Sequence, residues 1–127
     1  MLAWDLEDWL TEEGGNTVEK RHAEGVAALS DFEKLLFEVW LFDTEARNGG
    51  VSQYFCNRGH EQWDALCKAA EPRLPSFRQF ADTVNKVVAG QPDPYLAVIE
   101  SGDLLDDAYD AVKAVLVRQL QAHAPHQ

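Results

Sequence analysis

The 127-residue sequence predicts an all-α fold, a single compact domain of about six or seven helices around a buried central helix at about 31–47. Three observations point there. Apolar residues recur at helical spacing, and the β-branched alternation of strands is missing. Eight of the eleven residues from Phe32 to Phe42 are apolar, enough to cover most of a helix circumference, which places that helix in the middle of a domain. Capping residues, glycines and prolines punctuate the remaining stretches at helix-length intervals.

Residues 2–13 form the first expected helix. Leu2, Leu6, Trp9 and Leu10 share one face and Asp5, Asp8 and Glu12 another. Glu13-Gly14-Gly15 is expected to end it, with Asn16 and Glu19 capping a second, surface-lying helix over 17–28. Ser30 and Glu33 make a cleaner capping box for the central helix. Asn48-Gly49-Gly50 stops that helix, because each interior Gly costs about 1 kcal/mol relative to Ala and Gly enters left-handed conformations freely. A short helix over 51–57 follows. Arg58-Gly59 interrupts it, and 60–71 continues with Trp63, Leu66, Cys67 and Ala70 facing inward. Pro72 and Pro75 mark a loop, and Ser76 is the expected cap of a helix reaching residue 89 with a stripe of Phe77, Phe80, Ala81, Val84, Val87 and Val88. Residues 90–94 are a loop, and 95–99 fit either a helical turn or an extended piece. The last helix, about 103–122, buries Leu105, Ala108, Tyr109, Val112, Leu116 and Leu120. Residues 1–28 are expected to be a helical extension packed on a domain of 29–123, and 124–127 a loose tail.

Composition narrows the function. The formal net charge is -11, and residues 1–45 hold 12 acids against 3 bases. Such a field repels nucleic acid and anionic membrane and attracts basic partners; a solvated acidic surface that keeps the chain soluble is the plainer reading. No apolar run approaches the roughly 20 residues of a membrane span. The acidic N-terminus lacks the basic start and apolar core of a secretory signal. A cytoplasmic location follows as the expectation, with Cys56 and Cys67 as free thiols.

Catalytic and metal constellations are weak. Cys56, His60, Asp64 and Cys67 are spaced four, four and three apart, and thiolate with imidazole suits zinc. Gly59 breaks the helix that would align them, and Cys67 occupies a stripe position that wants an apolar residue, so no metal and no cofactor is expected. No catalytic residue is assigned: nucleophile elbow, zinc-protease helix and phosphate loop are all missing from the sequence. Asn48, Gln53, Tyr54 and Asn57 sit where caps and turns want their types. The sharper alternative makes them a small recognition surface.

The helix followed by Asn48-Gly49-Gly50, then Gln53-Tyr54-Phe55 and Asn57, resembles the bacterial domain of unknown function that includes a DNA-mimic protein. Leu104-Leu105-Asp106-Asp107-Ala108-Tyr109-Asp110-Ala111-Val112 is similar to that family's last helix, so the resemblance covers roughly 29–123. Val51 stands where the family usually has Phe. The resemblance implies an all-helical fold and no enzymatic activity. One member of the family is an acidic dimer that occupies a transcription factor's DNA-binding surface, and a homodimer and a partner of that kind are expected here only through the resemblance.

The leading expectation is thus a non-enzymatic acidic interaction protein, a DNA mimic for a basic DNA-binding protein, with no direct nucleic-acid or membrane binding. Asp5, Asp8 and Glu12 form one candidate carboxylate row, and Asp103, Asp106, Asp107 and Asp110 another. The alternatives are an immunity-type protein that neutralises a toxin, and a small-ligand-binding protein or enzyme using the Asn48–Asn57 turn. Gly49→Val is expected to destabilise the fold by a few kcal/mol if Gly49 has positive φ.

Overall fold

The computed structural model describes residues 3–125, with side chains from Leu6 onward. Leu2 and the tail residues His126 and Gln127 lie outside the described residues, as does the side chain of Asp5. Among the described residues every regular element is helical: α1 (Ala3–Glu24), a 3-10 turn (Val26–Ala28), α2 (Asp31–Gly49), α3 (Val51–Ala70), α4 (Pro75–Val88), α5 (Pro94–Glu100) and α6 (Gly102–Ala122).

α2 is the central helix. It packs between α1 and α3, while α4 packs on α6. No residue from Leu35 to Ala46 is exposed. Phe42 is the hub of the core. Its ring meets Tyr54 at 4.8 Å, Tyr109 at 4.9 Å and Phe80 at 5.5 Å, all edge-on. Each such pair adds about 0.5–1.5 kcal/mol beyond the area it buries. The expected capping box is in place: Ser30 Oγ accepts from Glu33 N at 3.1 Å, and Glu33 Oε1 accepts from Ser30 N at 3.0 Å.

The N-terminal third departs from expectation. α1 does not stop at Glu13 but runs through Gly14 and Gly15 to Glu24. Asn16 is therefore mid-helix and caps nothing. The reason lies in tertiary packing. A Cβ on Gly14 would come within 2.5 Å of Trp40 Cβ, so Gly14 is the point where α1 approaches α2 closely. Burial of Leu6 and Leu10, at 2% and 0% exposure, outweighs the helix-propensity cost of two glycines. Both leucines lie in the same apolar core as α2 to α6.

The reversal after α2 falls within the expected Asn48-Gly49-Gly50, but the helix runs two residues past 47 and the positive φ belongs to Gly50, not Gly49. Gly49 is helical, and Gly50 takes φ 86° and ψ 170°, a region that side chains other than Gly do not tolerate. α3 kinks at Gly59, φ 79°, as Arg58-Gly59 predicted. Ser76 is not the cap of α4: the cap position is Leu74, with Pro75 as first helical residue. The undecided stretch 95–99 is helical, started by Asp93, whose Oδ1 accepts from Leu96 N at 3.1 Å.

Candidate functional site

Asp43 sits on the face of α2 that meets α1 and α6, and it is fully buried. A buried carboxylate needs compensation, and three donors supply it. Tyr109 donates its hydroxyl to Asp43 Oδ1 at 2.7 Å, Lys113 Nζ lies 2.9 Å from the same oxygen, and Arg47 Nε donates to Oδ2 at 2.8 Å. Both cations also reach Glu7 of α1, Lys113 at 2.6 Å and Arg47 at 3.7 Å. Two carboxylates and two cations thus tie α1, α2 and α6 together. Burial, then the neighbouring Asp43 charge, pushes the Tyr109 phenol well above its ordinary range, so it stays a donor.

One turn away, Asp106 of α6 completes the Gly50 reversal. The start of α3 has Gly50 at its cap position and no side-chain cap of its own. Asp106 Oδ1 accepts from Val51 N at 2.7 Å instead, meeting one of the otherwise unpaired donors of a helix start. Gln119 repeats the device on α4: its Oε1 accepts from Ser76 N and its Nε2 donates to Ser76 Oγ, both at 3.1 Å. A single helix therefore caps two others. The two family-like stretches are the two halves of this junction.

Three other motif residues are engaged by the fold, Tyr54 in the core and Gln53 and Asn57 on Glu45 nearer the surface. Asn57 Nδ2 donates to Glu45 Oε2 at 2.7 Å, Gln53 Nε2 lies 3.4 Å from the same oxygen, and Arg58 is 3.8 Å from Oε1. Tyr54 is fully buried, its hydroxyl unpartnered and its ionisation pushed far up by burial. The cavity at the turn, about 220 Å³, is lined instead by Arg47, Gly50, Val51, Asp106, Tyr109 and Lys113. Ligand pockets start at about 300 Å³. The polar groups of Gln53, Tyr54 and Asn57 are thus engaged or submerged, which leaves the ligand-binding alternative without the side chains it invoked. Of the four, Asn48 alone is both exposed and without a side-chain hydrogen bond among the described residues. Cys56 is exposed and Cys67 half-buried. Gly59 separates the two, and His60 packs its ring against Phe55 and Tyr95.

Of the candidate carboxylates, Asp8, Glu12, Asp103, Asp107 and Asp110 are exposed. None has an ion-pair partner among the described residues. Asp103, Asp107 and Asp110, four and three apart, line one face of α6. Asp5 and Asp8 belong to α1, which crosses α6 at the Glu7–Lys113 pair. Asp106 is half-buried and spent on α3. Asp43, Glu45 and Lys113 escaped sequence reasoning. Asp43 was legible in principle, since a charge inside a helix apolar all round demands partners, but their identity was not.

Fold and site together define an acidic helical domain whose buried charges are compensated and whose exposed carboxylates Asp8, Glu12, Asp103, Asp107 and Asp110 have no ion-pair partner among the described residues. The chain belongs to the DMP19-like protein family, a DNA mimic protein 19-like domain whose model matches residues 27–122. No curated protein and no solved structure matches the chain. No helix among the described residues is long and apolar enough to cross a membrane.

Proposed function

We propose that this is a non-enzymatic interaction protein that presents the carboxylates of α1 and α6 to the DNA-binding surface of a basic protein. The observation that carries the reading is the set of exposed acids Asp8, Glu12, Asp103, Asp107 and Asp110, without ion-pair partners among the described residues, on neighbouring helices, in a family described as DNA-mimic-like.

Duplex DNA carries about one negative charge per 1.7 Å of axis, and basic grooves bind it largely by electrostatics. Carboxylates three or four apart on a helix stand about 5–6 Å from one another, a sparser array than the phosphates. Competition with DNA then rests on pre-arranged geometry and on low ionic strength. Asp106 contributes to the mimic surface only indirectly, by fixing α6 against the start of α3. The homodimer implied by the resemblance would double the carboxylate surface.

The test is competition. The protein immobilised on resin should capture a basic DNA-binding protein from lysate, and added duplex DNA should release it. Partners that lack DNA-binding activity, or that stay bound in excess DNA, contradict the proposal.

A further inference from the structure

The face of α2 turned away from Asp43 carries a second surface of opposite character. Lys34, Phe37, Glu38 and Leu41 recur every three or four residues and share that face. Three adjoining depressions run along it where α2 meets α3, with volumes of about 320, 280 and 280 Å³, and α1 borders the first two. They overlap: Phe37 and Gln62 line two of them, and Lys34 and Ala69 another two. They form one groove. Along α2 it extends from Asp31 to Leu41, about 15 Å at the helical rise, which matches four or five residues of extended chain.

The lining is amphipathic and cationic. Phe37, Leu41, Ala65 and Ala69 supply an apolar floor. Five of the chain's 11 basic residues, Arg21, Lys34, Arg58, Lys68 and Arg73, stand along it. Arg21 lies over the Phe37 ring at 4.8 Å. Lys34 and Lys68 are exposed and make no ion pair among the described residues. Two carboxylates line the groove, Asp31 and Glu38, and both oxygens of Glu38 accept from Gln62 Nε2.

We propose that this groove docks a short acidic peptide segment of a partner protein, an apolar side chain lying over Phe37 and carboxylates meeting Lys34, Lys68 and Arg58. Charge complementarity selects the sign of the occupant. Length and an apolar floor select a peptide over a polyanion, because a long strand of phosphates would also have to approach a chain of net charge -11. The acidic rows and this groove use different residues, so one protein could hold a basic surface with one side and an acidic segment with the other.

Fluorescence anisotropy tests it with a labelled hexapeptide of sequence Asp-Asp-Leu-Phe-Glu-Asp titrated with the intact protein. The expected result is saturable binding that the double substitution Lys34→Glu, Lys68→Glu weakens at least about tenfold and that raised salt weakens as well. Asp107→Asn, on the acidic face, should leave the dissociation constant within about twofold. Circular dichroism of the lysine variant should match the wild type, since both lysines are exposed. No saturable binding by the wild type overturns the proposal. So does unchanged binding by the folded lysine variant, and so does equally tight binding of a single-stranded oligonucleotide of the same charge. Failure of these arms leaves the acidic-face reading intact, because that reading predicts nothing for this peptide.

Discussion

At Gly49 and Gly50, adjacent glycines do different work. The three atoms nearest a Cβ on Gly49 all belong to the Gln53 side chain: the amide end can swing aside, and Gln53 Cβ at 3.1 Å must give by a few tenths of an ångström. Gly50 is held at φ 86° with Asp106 Oδ2 3.0 Å from where its Cβ would be. Gly50→Ala should therefore cost about 1–3 kcal/mol. Gly49→Ala should be nearly neutral, since helix propensity improves by about 1 kcal/mol as the Gln53–Glu45 contact is lost. Paired urea melts read both, and a larger loss at Gly49 contradicts the assignment of the hinge. Glu38 gives a pH-dependent counterpart. Burial raises its carboxyl above the ordinary value, against the opposing pull of Gln62 and Arg21. The fold thus favours the protonated form. Its contribution is complete below the unfolded value of about 4.5 and is lost as pH rises through the raised folded value. Glu38→Gln should raise the melting temperature at pH 7 and gain progressively less toward pH 4. A gain that grows on acidification contradicts the burial argument.

Elements are positioned by contacts that differ greatly in how visible they are along the chain. The Ser30–Glu33 capping box is local, three residues wide, and was legible. So were the apolar face of α2 and the glycine break at 59. The caps on α3 and α4 come from Asp106 and Gln119, 55 and 43 residues away in sequence. No local pattern reveals such partners. The same limit explains α1: Gly14 and Gly15 look like a stop until Trp40 is seen lying against Gly14. A distant cap should behave like a local one. Asp106→Ala should destabilise by about 0.5–2 kcal/mol, Asp106→Asn less, and Asp107→Ala within about 0.5 kcal/mol of zero. Denaturant midpoints check the series. Equal losses at 106 and 107 contradict the division of α6 into a capping edge and a solvent edge.

Across the whole molecule the ionic groups divide by depth. Asp43, Glu7, Arg47 and Lys113 are closed on one another at the meeting of α1, α2 and α6. Among the described residues Asp8, Glu12, Asp103, Asp107 and Asp110 have no such partners. The family's model begins at residue 27, so Asp8 and Glu12 lie in a segment outside the matched range. We propose that this N-terminal extension enlarges the carboxylate surface of the domain on which it packs. Net charge and fold class were legible in the sequence. Which acids remain free was not, because Asp106 and Asp107 are neighbours in sequence and differ only in what lies opposite them. The most direct measurement is capture of the partner from lysate by the wild type and by a variant with Asp8, Glu12, Asp103, Asp107 and Asp110 changed to the matching amides. The wild type should retain a basic DNA-binding protein at low salt and release it at high salt, and the variant, melting like the wild type, should retain none. Retention of the same partner by the neutralised variant would contradict the account.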